Sequence, residues 1–471
     1  MDSRLSSCRQ ATLVSIMNHP LKRNLLCATL ALTMATHFAL PVLAQEAALP
    51  ALELDKQIAA KEVELLKLNA DFRQHYTKGE KGKQRRMKFY DFAAGGVANA
   101  GDITIMSMFW KYQRKPGEGL NHRGRLESGF ITVLVAYCLL GGMYSAEGVA
   151  DLIGDYRGKR QGWDAKSMRN KIVALKDELD KLLSARDTQI AQASIDESTR
   201  ATLVAEGNVL KDIRDLGILE FSKLYIDSRK KHSARDITTI GTLAVCATGA
   251  FPGALGVIRG LQRTNLKKVG GGGIGFLISG STLTAAPLLI HGGAAITAKV
   301  AAQRLSKELG EVQCKTAEKL AQDTGALQSQ LASATGTTPA ALASSLETYQ
   351  VMGKILTDRQ NYLEKDRKDQ KKEMIESFIT YAMKGGPQIA LGCDVIRAGY
   401  RWNRNPYKAF KGVAQGATAN EVSWGLWMLD VVQKSARNEI KWAKAQPSPF
   451  AETEDLKKLE TLAQPRISVN N

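Results

Sequence analysis

The chain has 471 residues, a formal net charge of +18 and 41 glycines, but only 6% aromatic residues. This length predicts several structural units rather than one. A basic surplus can serve nucleic acid, anionic lipid or acidic polysaccharide. The sequence has no pattern typical of a nucleic-acid-binding module, so we expect no nucleic acid among its partners.

Residues 1–44 have the pattern of a signal peptide. Lys22 and Arg23 precede an apolar run that ends near Leu43, and Ala44 completes a small-x-small cleavage pattern before Gln45. We expect the mature protein to begin near Gln45 and to be exported, with an uncleaved signal anchor as the alternative. Export favours lipid over nucleic acid as the target of the basic residues.

Polar helices with heptad-type spacing are predicted at 45–80, 161–228 and, more weakly, 301–370. Their apolar positions recur every three or four residues, which is typical of the seam of a helical bundle or short coiled coil. These runs are short, so we expect them to pack on one another or across protomers. The seam positions are Leu54, Ile58, Leu65, Leu68, Phe72, Met168, Ile172, Leu175, Leu179 and Leu182.

Between the polar helices lie three predicted hairpins, at 81–160, 229–300 and 371–445, followed by a tail at 446–471. Three apolar stretches, 130–145, 237–258 and 269–290, are uncharged over nearly the ~20 residues that a membrane-spanning helix needs. Three others, 89–110, 378–396 and 413–432, contain charged residues and are weaker candidates. A large soluble helical protein with buried hairpins is therefore the alternative.

The hairpin loops resemble one another. Val257-Ile258-Arg259-Gly260 and Val395-Ile396-Arg397-Ala398 are each followed by basic residues and asparagine in a similar order, and 110–129 is a looser copy. Internal repetition of this kind decides architecture first. It predicts an all-α fold in which repeated Gly-rich helical hairpins, embedded in a membrane, alternate with polar heptad-type helices.

Glycines on these stretches are candidate packing residues. In water a glycine disfavours a helix by close to ~1 kcal/mol relative to alanine, whereas in a bilayer it lets helices approach closely. The candidates are Gly249, Gly253, Gly256, Gly271, Gly275 and Gly392.

Basic loop residues are candidates for contact with anionic lipid headgroups, which are the first predicted partner. They are Arg114, Lys115, Arg259, Arg263, Lys267, Lys268, Arg397, Arg401 and Arg404. Trp110, Tyr112, Tyr400, Trp402 and Tyr407 stand beside them, as headgroup-level aromatic residues do. If the leader is cleaved outside and all six stretches cross, these loops face the cytoplasm. The opposite flanks are also basic, so the charge rule supports this orientation only weakly.

Four acidic residues fall within or beside the apolar stretches: Asp102, Asp394, Glu421 and Asp430. Ionisable groups inside spans usually face the bundle interior and mark ion or proton routes. The alternative is a structural pair, such as Asp102 with a loop arginine.

Signs of enzymatic chemistry are few. The four histidines after the leader are far apart in sequence, and the cysteines form no C-x-x-C or Cys/His pattern. Lys267 and Lys268 precede the glycine run, the reverse of the phosphate-loop order. We therefore expect no catalytic residue, no cofactor, no metal and no enzyme.

Two functions from different classes remain. The first is a multi-span membrane protein of a bacterial-type cell envelope, placed in the inner membrane with exported helical segments. It would act as a scaffold or a subunit of a channel-like complex, and its heptad helices would bind a protein partner or a second copy. The alternative is a secreted soluble protein that inserts amphiphilic hairpins into a target membrane, as pore-forming proteins do.

Overall fold

The computed structural model describes residues 50–193, 195, 197–333, 337–443, 448–450 and 454–463. Throughout these residues the secondary structure is helical and contains no strand, which confirms the all-α prediction. The predicted signal peptide lies outside the described residues.

Twelve α-helices and one π-helical turn follow in chain order. They are α1 (Pro50–Thr77), α2 (Glu80–Tyr112), α3 (Pro116–Asn121), α4 (Arg123–Arg160), α5 (Ala165–Gln192), α6 (Glu197–Val245), the π turn (Cys246–Ala250), α7 (Phe251–Gln262), α8 (Leu266–Leu309), α9 (Ala317–Ser333), α10 (Thr337–Tyr400), α11 (Pro406–Ala443) and α12 (Glu454–Ala463).

The helices build two apolar cores. The first core, which we call the bundle, joins α1, α5, α9 and α12 to the adjoining parts of α6, α8 and α10. The predicted heptad seam fills it, because Ile58, Leu65, Phe72, Met168 and Leu179 are all buried there. On α5 the seam continues to the buried Leu183 rather than to the half-buried Leu182.

The second core, which we call the hairpin half, joins α2, α4, α7 and α11 to the remaining parts of α8 and α10. Aromatic residues from four helices meet in it: Phe109, Phe130, Phe276 and Phe410. The helices α6, α8 and α10 run through both halves. At 64 residues, α10 is roughly 96 Å long for a rise of about 1.5 Å per residue.

Short turns join the long helices of the hairpin half. The α8 helix begins at Asn265, whose side chain accepts a 3.2 Å hydrogen bond from the Lys268 amide, and α11 begins at Asn405, which caps Lys408 at 3.1 Å. Such caps satisfy amide groups that the first helical turn leaves free. The glycine run that follows Lys268 is therefore helical, not a loop.

Three helical segments are long and apolar enough to cross a membrane: Arg123–Gln192, Glu197–Gln262 and Leu266–Leu309. Their apolar windows belong to the same three stretches that the sequence marked as the stronger candidates.

Candidate functional site

Glycines form the crossing of α7 with α8. A Cβ atom added to Gly275 would lie 2.5 Å from the Gly253 Cα and 2.5 Å from the Gly249 carbonyl oxygen, and one on Gly256 would lie 2.8 Å from the Gly272 Cα. Real Cβ atoms do not approach other atoms so closely, so only glycine fits. Of the candidates on these helices, Gly271 lies outside the crossing, because a Cβ there would have only the Tyr400 hydroxyl at 4.0 Å.

A second glycine crossing joins α8 to α10. A Cβ on Gly392 would lie 2.6 Å from the Leu277 amide nitrogen, and one on Gly280 would lie 2.8 Å from the Gly385 carbonyl oxygen. Sequence reasoning missed Gly280, Gly385 and Gly399. The signal was present, since Gly385, Gly392 and Gly399 recur every seven residues and so share one face of α10.

Asp102 lies in the interior of the hairpin half, between α2 and α11. Its carboxylate is 2% exposed, and its Oδ2 accepts a 2.7 Å hydrogen bond from Asn420 Nδ2. Among the described residues no arginine or lysine pairs with it, so the suggested loop-arginine partner is replaced by an amide.

The other three acids are placed differently. Asp394 is 3.2 Å from Arg397 on the same helix, and Asp430 is 2.7 Å from Lys434. Glu421 is half-buried next to Asn420, and its Oε2 is buried without a hydrogen-bond partner. The four acids therefore do not converge on one site, and only Asp102 and Glu421 are neighbours.

Further polar side chains, which the sequence did not single out, lie inside the same half. Gln388 Nε2 donates to the Tyr137 hydroxyl at 2.7 Å. Nearer the bundle, Lys384 lies 3.4 Å from Asp91 and 4.1 Å from the Trp427 ring centroid. Partners of this kind are hundreds of residues apart, so no local pattern reveals them.

The three loops lie at one end of the hairpin half. Arg123 at the first loop donates to the Gln262 carbonyl at the second, at 3.2 Å. At the second and third loops a Cβ on Gly270 would lie 3.0 Å from the Gly399 Cα, and at the third and first one on Gly119 would lie 2.8 Å from Phe410. All nine candidate headgroup-facing basic residues are exposed at this end.

The bundle contains a separate buried polar cluster. Arg186, fully buried, is ion-paired with Asp55 and, at 2.8 Å, with Glu206, which also accepts from the Tyr349 hydroxyl at 2.7 Å. Burial, reinforced by the nearby Asp55 charge, raises the pKa of Glu206 to about 8 despite Arg186. Burial also raises the pKa of Glu62, whose two carboxylate oxygens have no hydrogen-bond partner.

Metal and redox chemistry find little support in the part of the chain that the structure describes. It contains no group of three or more His, Cys, Asp or Glu residues placed to hold a metal ion. His291 contacts Ser377 Oγ at 2.7 Å and stacks on Phe378, so it joins α8 to α10.

Comparison of the chain with protein-family models, with curated proteins and with solved structures found no match.

Proposed function

We propose that this chain is an integral membrane protein of a cell envelope that acts as a scaffold or as a subunit of a channel-like complex. The hairpin half would lie in the bilayer. The bundle would lie outside it and bind a protein partner or a second copy of the chain.

The observation that carries the proposal is the apolar surface of the hairpin half. Only 33% of the residues in the apolar windows of α4 and α8 are buried, and 39% in that of α6 and α7. Large apolar side chains therefore face outward on α4 and α8, including Val135, Leu139, Ile278 and Leu288. Soluble proteins rarely expose apolar patches of this extent.

The height of this surface fits a bilayer. On α4 the exposed apolar side chains run from Ile131 to Ile153, which is about 33 Å at about 1.5 Å per residue. A bilayer core is about 30 Å thick. Basic residues flank the band on both sides, Arg125 before it and Arg157 after it, where phosphate headgroups would lie.

The charged residues within the band also fit a membrane interior. Asp91 is paired with Lys384, and Glu147 is paired with Arg86 at 2.6 Å. Charged groups at membrane depth usually face the protein interior and pair with one another.

The loop end supports contact with anionic lipid. Nine exposed arginines and lysines lie there together, and Trp110, Tyr400 and Tyr407 are partly exposed beside them. Each basic residue near an anionic surface contributes about 1 kcal/mol of attraction.

For the bundle, the heptad seam is already buried within the chain, so the partner would contact the polar outer faces of the heptad helices. The exposed Lys181 on α5 is a suitable position for a photo-crosslinking amino acid. A crosslinked product of defined mass supports this part of the proposal, and its absence at a series of outer-face positions would contradict it.

Insertion from a soluble, secreted form is less well supported. That mechanism needs the apolar surface to be covered before insertion, whereas Leu152, Leu289 and Leu429 are exposed in this structure and the bundle does not cover them.

Fractionation of the producing cell tests the proposal. We expect the full chain in the membrane pellet after alkaline carbonate extraction, and floating with lipid in a density gradient. Release of the chain into the carbonate supernatant or the medium would contradict it and favour the secreted alternative.

A further inference from the structure

Asp102 combines deep burial with an incomplete set of hydrogen bonds. One carboxylate oxygen, Oδ2, accepts from Asn420 Nδ2 at 2.7 Å, while the other, Oδ1, is buried without a partner. The amide oxygen of Asn420, which is 4% exposed, is also buried without a partner. Both unpartnered atoms are acceptors, and a donor is missing between them.

The helices packed against α2 at this level, α4 and α11, bring no cation to Asp102. Facing it are Tyr137 from α4 and Glu421 from α11, and the Glu421 charge repels the Asp102 carboxylate. The lysine of this interior, Lys384, is held by Asp91. Within the described residues, therefore, nothing compensates a negative charge on Asp102.

On the loop side of Asp102 the surroundings are apolar. Ile105 and Phe109, one and two turns further along α2, are buried in the core, and Phe109 contacts the Phe130 and Phe410 rings. An isolated carboxylate in such a medium costs many kcal/mol, and a group of this kind takes up a proton instead.

We propose that Asp102 and Asn420 form a proton-binding site, in which one proton taken from water joins their two unpartnered oxygens. The acid would then donate from Asp102 Oδ1 to Asn420 Oδ1, while Asn420 Nδ2 continues to donate to Asp102 Oδ2. This reciprocal acid–amide pair satisfies both groups and leaves no net charge. The inference deepens the proposed function and rests on it, since it places a proton carrier inside the bilayer half.

A proton suits the site better than a metal cation. Alkali and alkaline-earth ions in proteins are held by several oxygen ligands at once. Here each residue offers one unpartnered oxygen, and no described group of three His, Cys, Asp or Glu residues could complete a shell. A single proton needs only these two atoms.

Infrared spectroscopy of the purified full chain in lipid nanodiscs tests the proposal, because a protonated carboxyl absorbs apart from carboxylates and amides. We expect a protonated-carboxyl band at neutral pH, unchanged by sodium, that is lost in Asp102→Asn and retained in the control Glu421→Gln. Asn420→Leu should shift the band, since it removes the hydrogen-bond partner.

The contrary outcomes are equally defined. Absence of an Asp102-dependent band at neutral pH would overturn the proposal, and so would a band that grows only when sodium is withdrawn, which would indicate a metal-cation site. Isotope-labelled aspartate in the wild-type chain identifies the band if Asp102→Asn does not fold. Lipid flotation of each sample separates failure of this inference from failure of the proposed membrane location.

Discussion

At the scale of single residues, the backbone opposite each glycine decides its importance. Gly385 and Gly386 are neighbours on α10, yet a Cβ on Gly385 would lie 2.5 Å from the Gly280 carbonyl oxygen, whereas one on Gly386 would have no atom within 4 Å. The same alanine substitution therefore meets a closed helix crossing at one position and open space at the next.

We predict that Gly385→Ala destabilises the hairpin half by about 1–3 kcal/mol, the range for overpacking. Gly386→Ala should be neutral or slightly stabilising, because alanine favours a helix over glycine. Protease resistance and the midpoint of thermal unfolding measure the difference. Equal behaviour of the two variants would show that α8 and α10 do not cross as described.

The bundle should show a pH dependence that arises from Glu206. Its pKa is raised from 4.5 to about 8, so the folded chain binds this proton more tightly than the unfolded chain does. Its contribution to stability is fully present below pH 4.5 and is lost as the pH rises through about 8. The raised pKa of Glu62 acts in the same direction.

We predict that Glu206→Gln flattens the fall in thermal stability between pH 4.5 and about 8. The amide imitates the protonated acid, and its oxygen can still accept from the Tyr349 hydroxyl. Thermal unfolding of wild type and variant over this range is the measurement. Parallel curves for the two proteins would mean that Glu206 ionises normally in the fold.

At the scale of helices, Arg359 joins three elements of the bundle. Fully buried on α10, it donates to the Leu66 carbonyl oxygen on α1 at 3.0 Å, lies 3.2 Å from Glu220 on α6 and donates to the Pro449 carbonyl oxygen. The Glu220 carboxylate is also fully buried, so removal of the arginine leaves it without its cation.

Arg359→Met should therefore cost about 3–5 kcal/mol of folding stability, as loss of one partner of a buried ion pair does. The double variant Arg359→Met/Glu220→Gln should recover part of it, since the uncompensated charge is gone. Lys354→Met, which breaks an exposed pair with Asp455 on the same helix, is the control and should change little. A double variant no better than the single one would assign the loss to packing alone.

The helices were predictable from sequence to the extent that their signals are local. The heptad positions Ile58, Leu65 and Met168 announced the bundle core, and the apolar stretch at 130–145 announced a helix able to cross a membrane. Periodicity reports which face of a helix is apolar, and that information lies within a few turns of chain.

The interior of the candidate site was not predictable in the same way. Asp102 and Asn420 are 318 positions apart, and their contact depends on how α2 and α11 are rotated when they pack. Similar sequence surroundings suggested similar roles for Asp102 and Asp394, but Asp394 is turned toward Arg397 in its own helix. A helix rotation of a few tens of degrees decides such pairings, and composition does not record it.

At the scale of the whole molecule, the arrangement has a direction. The three basic loops lie together at one end, and the bundle, with exposed positions such as Lys181, lies at the other. If the apolar band between them lies in a bilayer, the two ends face different compartments. With the predicted leader removed outside, the loops would face the cytoplasm.

We predict that single cysteines at Arg114, Arg259 and Arg397, in a background without other cysteines, react with an impermeant thiol reagent from one side of the membrane. A cysteine at Lys181 should react only from the other side. All four positions are exposed, so access within the protein does not limit the reaction. Labelling of Arg259→Cys and Arg397→Cys from opposite sides would contradict the contact between their loops. Labelling of all four from one side would instead show that the apolar band does not cross the bilayer, because no permeability barrier would then separate the loops from the bundle.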